Sequence, residues 1–216
     1  MSQCPFHYTD YRCTDLGAIN RFIDAFPLAL ITSTADGRFC SSHIPLLRNP
    51  DGSLFGHVDR RNPQFEARTP LEAQLVFMGP SSYVPPEGYR HRQLPTWNYL
   101  AVHMHARIQV LDQAPETLAI LERTAERLAH HSSTYRVDPH DPRVVANLPH
   151  ILGLAIEPLQ VEGRFKLSQD KREEDRDAAL DWFIEAQGRD LRGLLEHLKA
   201  FANPTTRGDA HAHRPD

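Results

Sequence analysis

The chain has few cysteines, no excess of positive charge and no long apolar run, and each absence excludes a class of protein. Its three cysteines, Cys4, Cys13 and Cys40, form no CxxC pair, which is typical of reduced thiols in the cytoplasm. The 24 Lys and Arg residues are outnumbered by 28 Asp and Glu, and a net charge of -4 does not favour non-specific nucleic-acid binding. No apolar run approaches the roughly 20 residues of a membrane-spanning helix, and no signal-peptide pattern is present. The sequence therefore predicts a cytoplasmic protein that does not bind a membrane.

Motifs that would identify a nucleotide-binding loop or a catalytic nucleophile are also missing. The chain contains neither a GxGxxG motif nor a Walker lysine loop, so a nucleotide held at a helix N-terminus is not predicted. Ser41 and Ser42 lack a nucleophile elbow, and Cys4 and Cys13 lack an identifiable base. No nucleophilic triad is therefore predicted.

The most regular signal is a series of strand patterns separated by turn residues. Strands are predicted at residues 28–34, 39–47, 54–58, 71–78 and 98–111. Turn signals at 35–37 and 50–52 predict that the first three strands form an antiparallel meander. The last strand alternates most clearly, with Val102 and Met104 on one face and His103 and His105 on the other. These patterns predict a mostly antiparallel β-barrel.

The rest of the chain predicts helices outside this barrel. Helices are predicted at residues 15–26, 115–130 and 172–201. A further strand pair is predicted at 151–161 and 164–167, around Glu162-Gly163. The proline-rich segment 79–95 is predicted to be a stiff loop without regular hydrogen bonding, and the stretch with Pro139 and Pro142 to be polar and irregular. A single domain over residues 1–201 and a disordered tail over 202–216 complete the prediction.

Four local motifs are more distinctive than these patterns. They are Gly56-His57-Val58 with Arg60 and Asn62-Pro63; Phe77 with Gly79-Pro80 and Tyr83; Leu94-Pro95-Thr96-Trp97-Asn98-Tyr99; and Glu162-Gly163-Arg164-Phe165-Lys166-Leu167-Ser168-Gln169. In this order and spacing, over roughly residues 8–180, they resemble the PaiB-like family of FMN-binding negative transcriptional regulators. The resemblance implies a split β-barrel similar to pyridoxamine-phosphate oxidase, with flanking α-helices, and a homodimer with FMN near the subunit interface. The chain departs from the family pattern at Met78, at Ser81, in the loop 84–89 and at Asp170.

FMN combines a dianionic phosphate, a hydroxylated chain and a flat ring system with polar edges, and residue chemistry offers candidates for each part. Arg60 and Asn62 follow a strand and are candidate phosphate donors. Trp97 could supply an apolar face for the ring and Asn98 an amide for its edge. A solvated arginine, a turn-holding Asn and a core Trp are the alternatives. The residues assigned to the FMN site are His57, Arg60, Asn62, Thr96, Trp97, Asn98, Lys166, Ser168 and Gln169.

Within this set, Lys166 and Ser168 share a strand face by the two-residue period, which suits a phosphate or ribityl contact. Gln169 adds an amide, and an exposed strand end is the alternative. The histidines His43, His57, His103 and His105 could be drawn together into a metal or haem site. His-x-His spacing alone is a weak signal, so no metal site is predicted and haem is kept as the less favoured cofactor.

Three functions follow, in decreasing order of support. The first is an FMN-binding regulator of transcription or sensor of a metabolite, although the helix at 115–130 mixes Arg123 and Arg127 with several glutamates and is not a convincing DNA reader. The second is a flavin-dependent oxidoreductase that acts on a small molecule, in which the flavin carries the electrons. The third is a haem or metal protein.

Overall fold

The computed structural model describes residues 8–67, 70–129 and 134–187. These residues contain an antiparallel sheet of eight strands and four α-helices. The strands are β1 Arg12–Cys13, β2 Leu28–Ala35, β3 Arg38–Pro45, β4 Leu47–Arg48, β5 Leu54–Asp59, β6 Leu71–Val84, β7 Thr96–Leu111 and β8 Ile151–Lys166. The helices are α1 Leu16–Ala25, α2 Ala114–Leu128, α3 Pro142–Asn147 and α4 Glu173–Ala186. The predicted tail over 202–216, and the part of the last predicted helix beyond residue 187, lie outside the described residues.

The chain divides into two compact units. The first, the barrel unit, comprises the residues up to Gly79 together with Tyr99–Lys166, and the second comprises Pro80–Asn98 together with the residues from Leu167 onward. The predicted single domain over residues 1–201 stays a prediction. No described helix is long and apolar enough to cross a membrane.

The sheet has the strand order β3-β2-β6-β7-β8-β5-β4, and β1 pairs with β8. The predicted β2-β3 hairpin is confirmed, with Ala35 opposite Arg38 at its turn. The predicted meander is correct only in part, because the predicted strand 39–47 is divided at Leu46 into β3 and β4. Strand β4 pairs with β5 across the turn at 50–52, while β3 does not pair with β5. Pro45 has no amide hydrogen with which to extend the β3 ladder, and the chain turns there into β4.

The predicted strand pair around Glu162-Gly163 is wrong, because β8 is one strand of 16 residues. Gly163 lies opposite Val102 in the middle of the β7-β8 ladder. A Cβ atom at Gly163 would lie 2.9 Å from the Cβ of Cys13, on β1. Glycine is therefore required here by the close approach of β1 and not by a turn.

The proline-rich segment is more ordered than predicted at its start. β6 continues through Pro80 to Val84, and a short 3-10 turn covers Pro86–Gly88. The pairing of β6 with β2 is described from Gln74 to Phe77, so the missing amide hydrogen of Pro80 interrupts no bond of that ladder.

The core of the barrel unit is built from the inward positions of the strands and from one face of α1. Residues at alternate positions of β2, β6, β7 and β8 are fully or nearly fully buried, including Ile31, Leu75, Phe77, Met104 and Leu154. Helix α1 starts at Asp15, whose carboxylate accepts a hydrogen bond of 2.8 Å from the amide of Gly17, and it contributes Ile19 and Ile23 to this core. Helix α2 packs through Ile120 against Leu47 and Phe55, on the outer face of the sheet.

Candidate functional site

A cavity of about 690 Å³ lies in the barrel unit, between β3 and the turn that follows β5. We call it the hydroxyl cavity, after the Ser42 hydroxyl on β3 that contacts Asn62. Its lining residues are Cys40, Ser41, Ser42, Asp59, Arg61, Asn62, Pro63 and Gln64. Asn62, which was predicted as a phosphate donor, is the one residue of the predicted FMN set among these.

Both the oxygen and the nitrogen of the Asn62 side-chain amide form hydrogen bonds that fix its position. Its Oδ1 accepts a hydrogen bond of 3.0 Å from the amide of Gln64 and so caps the 3-10 turn Pro63–Phe65. Its Nδ2 donates to the Ser42 hydroxyl at 2.9 Å, across to β3. The local sequence Asn-Pro thus builds a turn, and the turn delivers an amide beside a serine of another strand. Asn62 therefore both caps the turn and lies at the cavity, so its structural role does not exclude a role in binding a ligand.

The charge in this cavity is carried by a surface ion pair. The Arg61 guanidinium donates two hydrogen bonds to the Asp59 carboxylate, from Nε at 3.0 Å and from Nη2 at 2.7 Å. These side-chain bonds, with one from the Arg61 amide, hold the pKa of Asp59 well below its ordinary value. The pair is exposed to solvent, so it contributes little to stability, and its guanidinium is accessible to an anion.

Gln64 forms part of the same cavity and has an unusual set of contacts. Its Nε2 donates to the carbonyls of Ile31 and Cys40 and to the Ser33 hydroxyl, at 3.0–3.2 Å. Its Oε1 is buried and has no hydrogen-bond partner among the described residues. A buried acceptor without a partner is uncommon in proteins, and a ligand hydroxyl would satisfy it.

Arg60, the other predicted phosphate donor, does not line the hydroxyl cavity. Its guanidinium forms an ion pair with Asp112 and donates to the carbonyl of Ile151 at 3.4 Å. Its Nε is buried without a hydrogen-bond partner in the described part of the chain. The structure thus ties Arg60 to the ends of β7 and β8.

The residues predicted from the two most distinctive motifs lie mostly in the second unit. Asn98 is fully buried, and its amide donates to the Ser168 hydroxyl at 3.1 Å, while that hydroxyl lies 3.2 Å from Asn98 Oδ1. Ser168 has a φ of 61°, a left-handed conformation that costs energy in a residue other than glycine. Gln169 accepts a hydrogen bond of 2.7 Å from the amide of Leu167. These polar groups bond to one another, so their shared effect is to hold the two motifs together.

Thr96 and Trp97 are more accessible, and Trp97 is 53% exposed. Lys166 ends β8 in the barrel unit, with its Nζ 5.7 Å from the centre of the Tyr11 ring. His57 lies on β5 and faces a different cavity. The structure therefore distributes the predicted FMN residues over several places within the two units.

The histidines considered for a metal or haem site are also distributed. His105 lies on the outer face of β7, with its Nε2 3.2 Å from Glu72, and His43 lies on β3. Over residues 8–67, 70–129 and 134–187, no group of three or more His, Cys, Asp or Glu side chains is placed to hold a metal ion.

The donor set of the hydroxyl cavity fits the polar half of FMN. The Ser42 hydroxyl, the Asn62 amide and the Arg61 guanidinium are groups that bind phosphate and hydroxyl oxygens, and the volume lies in the range of ordinary ligand sites. The Ser41 hydroxyl lies on the other face of β3, 3.0 Å from the Thr32 hydroxyl. Sequence reasoning did not select Ser41, Ser42, Arg61 or Gln64 for the site. The capping signal Asn62-Pro63 could have located the turn, but the placement of β3 beside it depends on the fold.

Comparison with known proteins agrees with this architecture. Protease synthase and sporulation protein PAI 2 of Bacillus subtilis is 29% identical over an alignment of 172 residues, and the alignment covers 76% of this chain and 82% of that protein. The FAD and heme binding protein from Mycobacterium smegmatis has a TM-score of 0.59 at 16% identity and covers 82% of this chain and 80% of its own. The flavocytochrome Anf3 from Azotobacter vinelandii has a TM-score of 0.59 at 13% identity, covering 74% and 72%. At these identities the solved structures show the fold alone, and they confirm the predicted antiparallel split barrel with flanking helices.

One family accounts for most of the chain. The sequence model of the family described as "Putative FMN-binding domain" matches residues 6–158, well over half of the 216 residues. The resemblance predicted from the four motifs is confirmed, as is the prediction of FMN as the cofactor. The chain belongs to this family of FMN-binding domains.

Proposed function

We propose that this protein is an FMN-dependent regulator of the PaiB-like type, with the phosphate and ribityl part of FMN in the hydroxyl cavity. The observation that carries the proposal is a cavity of phosphate-binding side chains inside the region that matches the FMN-binding family. Bound FMN supplies a ring that accepts and releases electrons. The protein supplies orientation and electrostatics.

Four of the eight residues that line the cavity have a role in this proposal. Arg61 provides the positive charge for the phosphate, because a guanidinium matches phosphate geometry with a fork of N–H groups. The hydroxyl of Ser42 and the amide of Asn62 bind oxygens without adding charge. The buried Oε1 of Gln64 accepts from a ribityl hydroxyl.

The other predicted FMN residues do not all have the same role in the proposal. Thr96, Trp97 and Lys166 do not line the hydroxyl cavity, and their assignment to the FMN site stays a prediction. Asn98, Ser168 and Gln169 hold the local backbone through the hydrogen bonds described above. The role of Arg60 is to anchor the end of β5 through Asp112.

We expect Arg61→Gln to weaken FMN binding by about 10- to 100-fold, the usual range for loss of a hydrogen bond to a charged group. Binding of riboflavin, which lacks the phosphate, should change little. The measurement is a titration of flavin fluorescence with each ligand. Failure of the wild-type protein to bind FMN would reject the cofactor itself.

Arg143→Gln is the matched control for this experiment. Arg143 forms the same exposed pair with Asp141, two residues before it, through bonds of 3.1 and 2.6 Å, but it lies outside the hydroxyl cavity. FMN affinity should be unchanged in this variant. Equal losses in the two variants would contradict the placement of the phosphate at Arg61.

A homodimer is part of the proposal. The outer face of β2 and β6 carries apolar side chains, with Leu30 opposite Val76 in the ladder. Leu28 and Met78, on the same face, are each 53% exposed. An exposed apolar face on a sheet is typical of a contact between proteins, and a second copy of the chain is the occupant that the family resemblance implies.

We expect sedimentation to give a mass about twice the 24.6 kDa of the chain. Met78→Asp should shift the protein towards the monomer, because a charge at the centre of an apolar contact has to be desolvated. Val145→Asp, at an exposed position of α3, should leave the mass unchanged. If Met78→Asp remains a dimer, the outer face of β2 and β6 is not the interface.

The regulatory role requires DNA to be bound by a surface other than α2. Arg123 stacks on the Phe55 ring at 3.9 Å and donates to Asn49, and Arg127 donates to the carbonyl of Arg48 at 3.1 Å. These arginines contact the protein itself. Specific retention of DNA from upstream of its own gene at physiological salt supports the regulator. Its absence, together with bleaching of the flavin by NAD(P)H, supports the oxidoreductase instead.

A further inference from the structure

We propose that the barrel unit has a second ligand site, which binds a small neutral molecule with an apolar body and a single hydroxyl group. The site is a cleft of about 580 Å³ beneath α2, which we call the α2 cleft. Its lining residues are His57, Leu121, Thr124, Ala125, Leu128, Ala129, Tyr135, Val137, Asp141, Arg143, Val144, Asn147 and Ile151. The inference does not depend on FMN binding.

The walls of the α2 cleft are mainly apolar. Leu121 and Leu128 come from α2, Val144 from α3 and Ile151 from the start of β8. Helix α2 presents the small side chains of Ala125 and Ala129 to the same space, and this leaves room between the helix and the sheet. A concave site with apolar walls and few polar groups is the usual form of a small-molecule site.

His57 is the polar group in the floor of the cleft. It is half-buried on β5, and burial lowers the pKa of its ring below the ordinary value. A neutral imidazole has one donor and one acceptor nitrogen. Among the described residues, no hydrogen-bond partner of the ring is found, so both functions are open to a ligand.

The charged groups that line the cleft, Asp141 and Arg143, form an ion pair in which the Arg143 side chain is 85% exposed to solvent. Arg143 donates two hydrogen bonds to the Asp141 carboxylate, and these lower the pKa of Asp141 to about 2. Asn147 donates from Nδ2 to the carbonyl of Arg143 at 2.7 Å. A charged group placed against the apolar walls of the cleft would lose its hydration, which costs free energy and favours a neutral ligand.

The α2 cleft is separate from the hydroxyl cavity. The two linings share no residue, although β5 contributes His57 to one and Asp59 to the other. His57 was predicted as an FMN ligand, and this inference gives it a different partner.

The test uses 4-fluorophenol as the probe and the full chain, with binding followed by fluorine NMR. Ala125→Phe fills the cleft from α2, and we expect the affinity for the probe to fall by at least about tenfold. Ala119→Phe places the same ring at an exposed position of the same helix and should bind the probe as the wild-type protein does. Circular dichroism checks that both variants fold.

A second comparison tests the role of His57. The wild-type protein should prefer 4-fluorophenol to fluorobenzene by about tenfold, because only the phenol can hydrogen-bond to the imidazole. His57→Leu should lose this preference and still bind fluorobenzene. Unchanged binding in Ala125→Phe, a preference that persists in His57→Leu, or competitive displacement of the probe by FMN would each overturn the proposal.

Discussion

Replacing Phe65 by alanine is expected to lower the free energy of unfolding by about 3–5 kcal/mol, the range for deletion of a large aromatic side chain from a packed core. Phe65 is completely buried and belongs to the main core of the barrel unit. The neighbouring strands are tied to one another by ladder hydrogen bonds and cannot collapse onto the space left behind. Urea denaturation, followed by circular dichroism, measures the change.

The same substitution should also affect the hydroxyl cavity. Phe65 ends the 3-10 turn that Asn62 caps, and this turn places Asn62 and Gln64 at the cavity. Loss of the anchor frees the turn, so FMN affinity should fall together with stability. The control is Phe39→Ala, because Phe39 is 81% exposed and its truncation should change stability by less than about 0.5 kcal/mol. If both variants lose stability equally, Phe65 is not the anchor of the turn.

The second large effect is expected at Asp175, in the second unit. This carboxylate is fully buried and accepts hydrogen bonds from the amide of His91 at 2.7 Å, from Gln93 Nε2 at 2.9 Å and from the His91 ring at 3.2 Å. Asp175→Ala leaves these donors without a partner. The loop that contains them should open, and trypsin should cut after the exposed Arg90 and Arg92 faster by about one order of magnitude or more.

Asp177→Ala is the control, since Asp177 lies on the same helix and is exposed. Cleavage in this variant should match the wild type. Burial acts to raise the pKa of Asp175, but the hydrogen bonds from His91 and Gln93 outweigh it, and the pKa lies below the ordinary 3.8. A lowered pKa means that this contribution to stability is complete above pH 3.8 and is lost as the pH falls below it. Wild-type cleavage rates in Asp175→Ala would show that the loop is held by other contacts.

The alternation of apolar residues was sufficient to locate most of the sheet. β7 was predicted from its two-residue period, and α1 from its apolar face and the proline that follows it. Both signals are local, since they depend on residues that are neighbours in the chain. The fold class followed from them.

Some errors concern residues whose identity is set by a neighbour that is distant in the sequence. Gly163 separates the two strands predicted at 151–161 and 164–167, but it is a glycine because Cys13 packs against it from β1. Helix α3 was missed although Asp141 followed by Pro142 is a normal start of a helix, and Asp141 accepts from the amide of Arg143 at 2.8 Å.

The candidate site shows the same limit. Asn62 was selected from its motif, and it lines the hydroxyl cavity. Two arginines, Arg60 and Arg61, precede Asn62. Which of them lines the cavity depends on the conformation of the turn after β5, which the sequence does not reveal. The prediction therefore names Arg60, whereas Arg61 lines the cavity. Ser41 and Ser42 reach the cavity only because β3 lies beside this turn, and this placement is not visible in a single sequence.

The long unbroken β8 has a consequence for how the protein is made. It pairs with β1, β5 and β7, so those strands keep free hydrogen-bonding edges until β8 is synthesised. The ribosome adds 55 residues between Leu111 and Lys166, which takes roughly 3–11 s at bacterial or eukaryotic speeds. During this interval two nascent chains on one messenger can pair edge to edge. Early capture by a chaperone would keep them apart until β8 emerges.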